Sequence, residues 1–146
     1  MGLVDINDYR YCMKLSAKSE YAFLALILLA EHYDSNKLIS IAEIARQQDI
    51  PKKYLEQILL ILKRAGFVKS YKGADGGYKL AKKPKLIHAA EIIRIMDGAL
   101  APVESVSKYF YEPTPIEKSK KLLAVFKQIR DYISDTLEKV TLADLI

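Results

Sequence analysis

A single cysteine, Cys12, stands in this chain of 146 residues. No internal disulfide can form, and no site can be built from four thiolates of one chain. Long apolar runs are equally scarce. The longest, Tyr21 to Ala30 ("YAFLALILLA"), is half the roughly 20 residues that a helix needs to span hydrocarbon, so it reads as a buried helix. The first residues lack the basic segment, apolar stretch and small-residue cleavage site of a secretory signal. These gaps together predict a cytoplasmic protein. Nucleophile elbow, phosphate loop and zinc-protease spacing are also missing, which argues against an enzyme. His32 and His88, the only two histidines, have no carboxylate or thiol cluster beside them, so no metal and no other cofactor is expected. Internal repeats and low-complexity tracts do not occur.

What the chain does contain is enough apolar residue to fold: 51% hydrophobic and 28% charged lies far from the composition of disorder. Its length suits one sizeable core with an appendage. The net charge of +5 is unevenly placed. Residues 1–100 hold 16 Lys and Arg against 11 Asp and Glu, whereas residues 101–146 hold 7 against 7. From Arg46 to Lys85 there are 11 basic residues against Asp49, Glu56 and Asp75, a local +8. Charge of that size draws a polyanion, nucleic acid being the commonest, although it equally suits a solvated face.

Apolar spacing predicts a buried helix across residues 15–33 and a turn at Ser35-Asn36. A short second helix follows, opened by a capping box of Ser40 and Glu43 and ending near Gln48. A third runs from Pro51 to Gly66. Its Leu55, Ile58, Leu59 and Leu62 recur at i, i+3, i+4 and i+7 and define the buried stripe. Lys52, Lys53, Glu56, Gln57, Lys63 and Arg64 occupy the other side, with Tyr54 at the margin. Two short strand-like runs, 67–71 and 78–80, then flank "KGADGG", whose glycines let the chain reverse with Lys72 at the tip. Pro84 ends the second strand, and residues 87–97 return to a helix stopped by Gly98.

Three helices followed by a hairpin is the order of a winged helix-turn-helix. The predicted fold is therefore mainly α with a small β-hairpin, plus a long C-terminal helix. Its parts are an N-terminal extension at 1–12, a DNA-binding domain at 13–98, a connecting loop at 99–113, and a dimerisation helix and tail at 114–146. Thr114, Pro115 and Glu117 read as N-cap, N1 and N3 of that last helix. Along it Leu122, Phe126, Ile129, Ile133 and Val140 form one apolar stripe, which suits burial against a second copy or, failing that, against its own domain. Thr141 is placed to cap a last short turn containing Leu142.

A helix of this kind fits the major groove of duplex DNA. Gln57 can pair with adenine, Glu56 can accept from the cytosine amino group, and Lys52 and Lys53 can reach guanine or phosphate. Lys63, Lys72 and Lys79, with Arg64, Lys69, Lys82, Lys83 and Lys85, suit backbone contacts. Ser40, at the start of the second helix, joins the DNA-facing set.

The runs "MKLSAKSEYAFLALILLA", "SIAEIARQQDIPKKYLEQILLILKRAGFVKS", "YKGADGGYKLAKKP" and "AAEIIRIMDG" resemble the Rrf2 family of bacterial transcription regulators. The similarity covers essentially everything after residue 12, and its most specific parts are "YLEQ" and "GADGGYKL". The resemblance implies a homodimer joined by crossing C-terminal helices, with two winged-helix heads on a pseudo-palindromic operator. It assigns DNA contact to Ser16 and Lys18, to Lys53, Tyr54, Glu56 and Gln57, and to Lys72. Several members hold an iron-sulfur cluster on three cysteines in the loop before the long helix. Here Ser105, Thr114 and Lys120 fall at or near those places, so a regulator without such a cluster is expected. Tyr109, Phe110 and Tyr111 suit either packing or a small-molecule pocket, and the resemblance leaves open a small-molecule or protein effector. The alternative function is a winged-helix module that binds another protein.

Overall fold

The longest apolar run forms the element on which the rest packs. The computed structural model describes residues 15–146; the expected extension at 1–12, Cys12 included, lies outside them. Helix α1 (Ala17–Glu31) buries Ala22, Ala25, Leu26, Leu28, Leu29 and Ala30. It is shorter than its apolar content predicts because Ser16 adopts an extended backbone and its hydroxyl oxygen accepts the Ser19 amide, which starts the helix. His32 ends α1, its Nδ1 3.0 Å from the Leu28 carbonyl.

Helix α2 (Ile41–Gln48) opens on Ser40, whose oxygen accepts the Glu43 amide at 3.1 Å. The reciprocal half of the expected box does not form, since the Glu43 carboxylate instead takes the Gln47 amide and the Lys37 ammonium. Helix α3 (Lys52–Arg64) buries Leu55, Ile58, Leu59 and Leu62, all at 2% exposure or less, as the stripe predicts.

Strands β1 (Val68–Tyr71) and β2 (Gly77–Leu80) pair antiparallel, Val68 opposite Leu80 and Tyr71 opposite Gly77. The hairpin is tied to the helices by an exchange of amide bonds between Ile39 and Tyr78, 3.0 and 2.8 Å long. A two-stranded hairpin is marginal in water, and this bridge is what steadies it. It also explains the glycines. A Cβ on Gly77 would stand 2.7 Å from the Ile39 carbonyl, and one on Gly76 would stand 2.2 Å from the Tyr71 oxygen. Close backbone approach, as much as reversal of the chain, demands them.

Pro84 does not end β2, which stops at Leu80; it opens a 3-10 turn (Pro84–Leu86). Helix α4 (Ala89–Met96) begins two residues later than expected because His88 is its cap, with an extended backbone whose amide donates to the Glu91 carboxylate at 3.0 Å. The following segment is not featureless. A 3-10 turn (Glu104–Val106) tucks Ser105 and Val106 out of water.

The long helix, α5 (Lys120–Lys139), starts later than Thr114 and Pro115 predict. Those residues instead open a 3-10 turn (Pro115–Lys118), and Thr114 caps nothing because its hydroxyl lies 2.5 Å from that of Ser105. Ser119 supplies the cap, accepting the Leu122 amide at 3.2 Å. Val140 falls beyond the helix end in an extended conformation, and its carbonyl accepts the Ala89 amide at 2.9 Å. Past it, Thr141 and Asp144 cap a final 3-10 turn that seats Leu142 in the core at 0% exposure. The C-terminal end of α5 thus docks on its own domain while the N-terminal stretch stands clear: Leu122, Val125 and Ile129 are 42%, 50% and 36% exposed.

Candidate nucleic-acid interface

With its apolar stripe buried, α3 turns Lys52, Lys53, Tyr54, Glu56, Gln57, Lys63 and Arg64 to solvent. The helix that carries them starts on Pro51, which offers no side-chain cap, and the first amide engaged within the helix is that of Leu55. The positive end of the helix dipole is therefore open toward the same side as Lys52 and Lys53. Such an end favours anions.

The wing carries the second group of cations. Lys72 is exposed in the turn between β1 and β2. Lys79 is not free in the same way: its ammonium donates to Asn36 Oδ1 at 2.8 Å and sits 5.2 Å from the centre of the Tyr71 ring. It braces the wing against the turn after α1. Lys82 lies 4.9 Å over the ring of Phe67. Ser40 stands next to the bridge residue Ile39, exposed, with its oxygen already accepting from α2.

Among the described residues the ion pairs are Lys37–Glu43, Arg94–Glu138, Lys108–Asp131 and Arg130–Asp131. None uses any of the 11 cations between Arg46 and Lys85. A face rich in charge that the chain itself does not neutralise is suited to a polyanionic partner.

Ser16 and Lys18 lie apart from this face in sequence, at the first turn of α1, and the fold ties that turn to the end of α4. The Asp97 carboxylate accepts the Ser16 amide at 3.1 Å, the Ser16 hydroxyl, and the Ser19 hydroxyl at 2.6 Å. Partial burial alone would raise the pKa of Asp97, but these hydrogen bonds from Ser16 and Ser19, aided by nearby Lys18, hold it below the usual carboxylate value. In the sequence Asp97 reads only as the last residue of a helix stopped by Gly98, and nothing there marks this role. No local pattern links residues 16 and 97; only the tertiary fold does.

Ser105, Thr114 and Lys120 are the residues that the resemblance sets at or near the places of cluster-holding cysteines. Ser105 and Thr114 face each other as hydroxyls bonded at 2.5 Å, and Lys120 is an exposed residue at the first turn of α5. Neutral hydroxyls and an ammonium do not fit the donor set of an iron-sulfur cluster, for which thiolates are the usual ligands. Among the described residues no three His, Cys, Asp or Glu side chains converge on a point. His88 Nδ1 instead lies 2.8 Å from the Glu138 carbonyl, joining α4 to α5. Tyr109 and Phe110 border an open cleft with Arg94 and Arg130, whose enclosed part of about 10 Å³ admits one water. Tyr111 is spent on Glu117, to which its hydroxyl donates at 2.6 Å, and that bond raises its pKa. No helix among the described residues is long and apolar enough to cross a membrane.

Three comparisons bear on this arrangement. Residues 15–146 match the family described as "Rrf2: Iron-dependent Transcriptional regulator". The chain is 36% identical over 133 residues to the HTH-type transcriptional regulator CymR of Bacillus subtilis, covering 91% of this chain and 89% of that one. The solved structure of that protein, described as the global cysteine regulator of B. subtilis, superposes with a TM-score of 0.74 over 91% of this chain and 95% of that one. The structure of T. potens IscR, 32% identical, superposes with a TM-score of 0.70 over 91% and 85% of the two chains.

Proposed function

The chain is a member of the Rrf2 family of transcriptional regulators, DNA-binding proteins and not enzymes, and from that premise we propose that it binds a pseudo-palindromic operator as a homodimer without an iron-sulfur cluster. The observation that carries this reading is the outward face of α3: long polar side chains on a helix with a fully buried opposite stripe, beside a wing whose Lys72 is open. Gln57 and Glu56 read base edges in the major groove, Lys52, Lys53 and Tyr54 seat the start of the helix, and Lys63 and Lys72 contact phosphates. Ser16 and Lys18 add contacts at the start of α1. Lys79, bonded to Asn36, acts by fixing the wing.

Leu122, Phe126, Ile129 and Ile133 bury against the same residues of a second copy, since a helix face this apolar rarely stands in water alone. Val140 lies outside the stripe and closes the tail on its own protomer. The hydroxyl pair at Ser105 and Thr114 supports the cluster-free reading. A small-molecule or protein effector then replaces the cluster as the signal.

Selection of genomic fragments by the purified protein, with an absorbance spectrum of anaerobically prepared material, tests these points together. The expected result is an enriched inverted repeat and no visible absorption. Stoichiometric iron with visible bands would overturn the cluster-free reading. Binding to a duplex should fall by roughly 10³ to 10⁵ between 50 and 200 mM salt if the dimer neutralises about 6 to 10 phosphates. A partner that is a protein would show no such slope.

A further inference from the structure

The first turn of α1, the end of α4 and the long helix α5 are joined by two side chains on one short helix. Arg94 and Asp97 lie three residues apart on α4 and its cap, hence on neighbouring faces of one turn. Arg94 pairs with Glu138 of α5, and its guanidinium lies 5.1 Å over the ring of Tyr109 in the loop. Asp97 takes all three donors that the start of α1 offers it, the Ser16 amide and the Ser16 and Ser19 hydroxyls. Ser19 has no exposed surface, so its hydroxyl has no water to fall back on. Directly after Asp97 the chain turns through Gly98 at φ +89 into the loop.

We propose that Asp97 is a positioning residue for DNA binding: it holds the first turn of α1 so that Lys18 meets a phosphate, and it passes movements of the loop and of α5 to that contact through α4. The inference rests on the DNA-binding reading above. The geometry favours it over a plain capping role because one carboxylate fixes both the backbone and the cap hydroxyl of Ser16, two residues before Lys18. Without it, the Ser16 hydroxyl keeps only its bond to the Ser19 amide, and the turn that carries Lys18 loses its hydrogen bonds to the end of α4.

Charge alone predicts the opposite behaviour. A carboxylate near a polyanion repels it, so removing the charge should tighten binding if Asp97 did nothing else. This gives the test a sign. The affinity of the full chain for a fluorescein-labelled, mixed-sequence DNA duplex would be measured across a salt series for the unaltered protein, Asp97→Asn, Lys18→Ala and the double variant, with thermal melting of each.

Asp97→Asn is expected to weaken binding about tenfold, the worth of a charge-assisted hydrogen bond. The slope of log affinity against log salt should fall by about 0.9 per protomer, one phosphate contact each. Lys18→Ala should lower the slope equally, and the double variant no further. Ser19→Ala, which removes one of the three bonds, should move the slope the same way by less, and it serves if Asp97→Asn does not fold.

A slope unchanged in both Asp97→Asn and Ser19→Ala, or tighter binding by Asp97→Asn, would overturn the proposal alone. So would effects of Asp97→Asn and Lys18→Ala that simply add. Failure of the unaltered protein to bind the duplex at low salt would overturn the DNA-binding reading with it.

Discussion

The two halves of the molecule treat charge in opposite ways. Between Arg46 and Lys85, 11 cations face three acids, and none of them enters an ion pair. In residues 101–146 the count is 7 against 7, and the cations that matter structurally, Arg130 and Lys108, are matched to Asp131. Exposed ion pairs contribute little to stability, so the difference is not a matter of holding the fold together. It separates a surface left for a partner to neutralise from a scaffold that neutralises itself. The same split appears in apolar surface. The wedge of α3 and wing shows solvent almost none of its core stripe, whereas α5 leaves Leu122, Val125 and Ile129 partly open.

Breaking the scaffold half should have the largest effect. Placing a carboxylate on the open face of α5 with Ile129→Asp is expected to convert the proposed dimer into monomers while leaving each protomer folded, because Ile129 is 36% exposed and lies outside the buried core. Loss of the second head removes the gain from linked binding, so affinity for an inverted-repeat operator should fall by roughly 10² to 10⁴. Sedimentation of the variant, followed by operator titration, checks both parts; an intact dimer would place the interface elsewhere. Next in size is Gly77→Ala. Its Cβ would meet backbone atoms of Ile39 at 2.7 Å, so wing and α2 must separate. A stability loss of about 1–3 kcal/mol in denaturant melts is expected, as for other overpacked sites.

How much of this contrast is visible before folding depends on the range of the interactions. The stripe Leu55, Ile58, Leu59 and Leu62 is local and periodic, and all four residues are buried as expected. The hairpin was legible for the same reason, through glycines and flanking β-formers. Errors gathered where local chemistry had a rival at long range. Thr114 and Pro115 form a good helix start on paper, but the Thr114 hydroxyl is taken by Ser105, nine residues back, and Ser119 starts the helix instead. Val140 fits the heptad spacing of α5 yet is drawn away by the amide of Ala89. The exposure of the polar side of α3 is likewise readable from its spacing. The tie from Asp97 to Ser16 is not, since 81 residues separate the partners. Lys79 reads in the sequence like any other wing lysine, since Asn36, its partner, lies 43 residues away.

Within the face proposed to meet DNA, a finer comparison sets a proposed reading residue against a proposed anchoring one. Gln57 is exposed on α3, and a planar amide of its kind can pair with adenine. Gln57→Ala should relax base preference at one operator position by about 1–3 kcal/mol and leave the others untouched. Lys72→Ala should weaken all sequences nearly alike and lower the salt slope by about 1 per protomer. Binding to a library of single-base operator variants distinguishes them. Equal loss on every sequence for Gln57→Ala would count against a reading role.

The smallest expected effect concerns acid, and it tests whether Asp97 belongs to the scaffold or to the interface. Its folded pKa is held below the ordinary carboxylate value, so it binds a proton less readily when folded than when unfolded. The stabilisation from its bonds is therefore fully present above about pH 4 and is lost as pH falls through the depressed value. Thermal melts of the unaltered protein and Asp97→Asn should differ at neutral pH and converge below the carboxylate range. Because Asp97 is largely solvent-exposed, that difference should be modest, smaller than the loss of DNA affinity caused by the same change. A stability loss that accounted for the whole binding defect would make Asp97 a member of the scaffold only. A binding defect that outlasts it, at a pH where both proteins are fully folded, places Asp97 at the junction where a self-neutralised scaffold orients an unneutralised face.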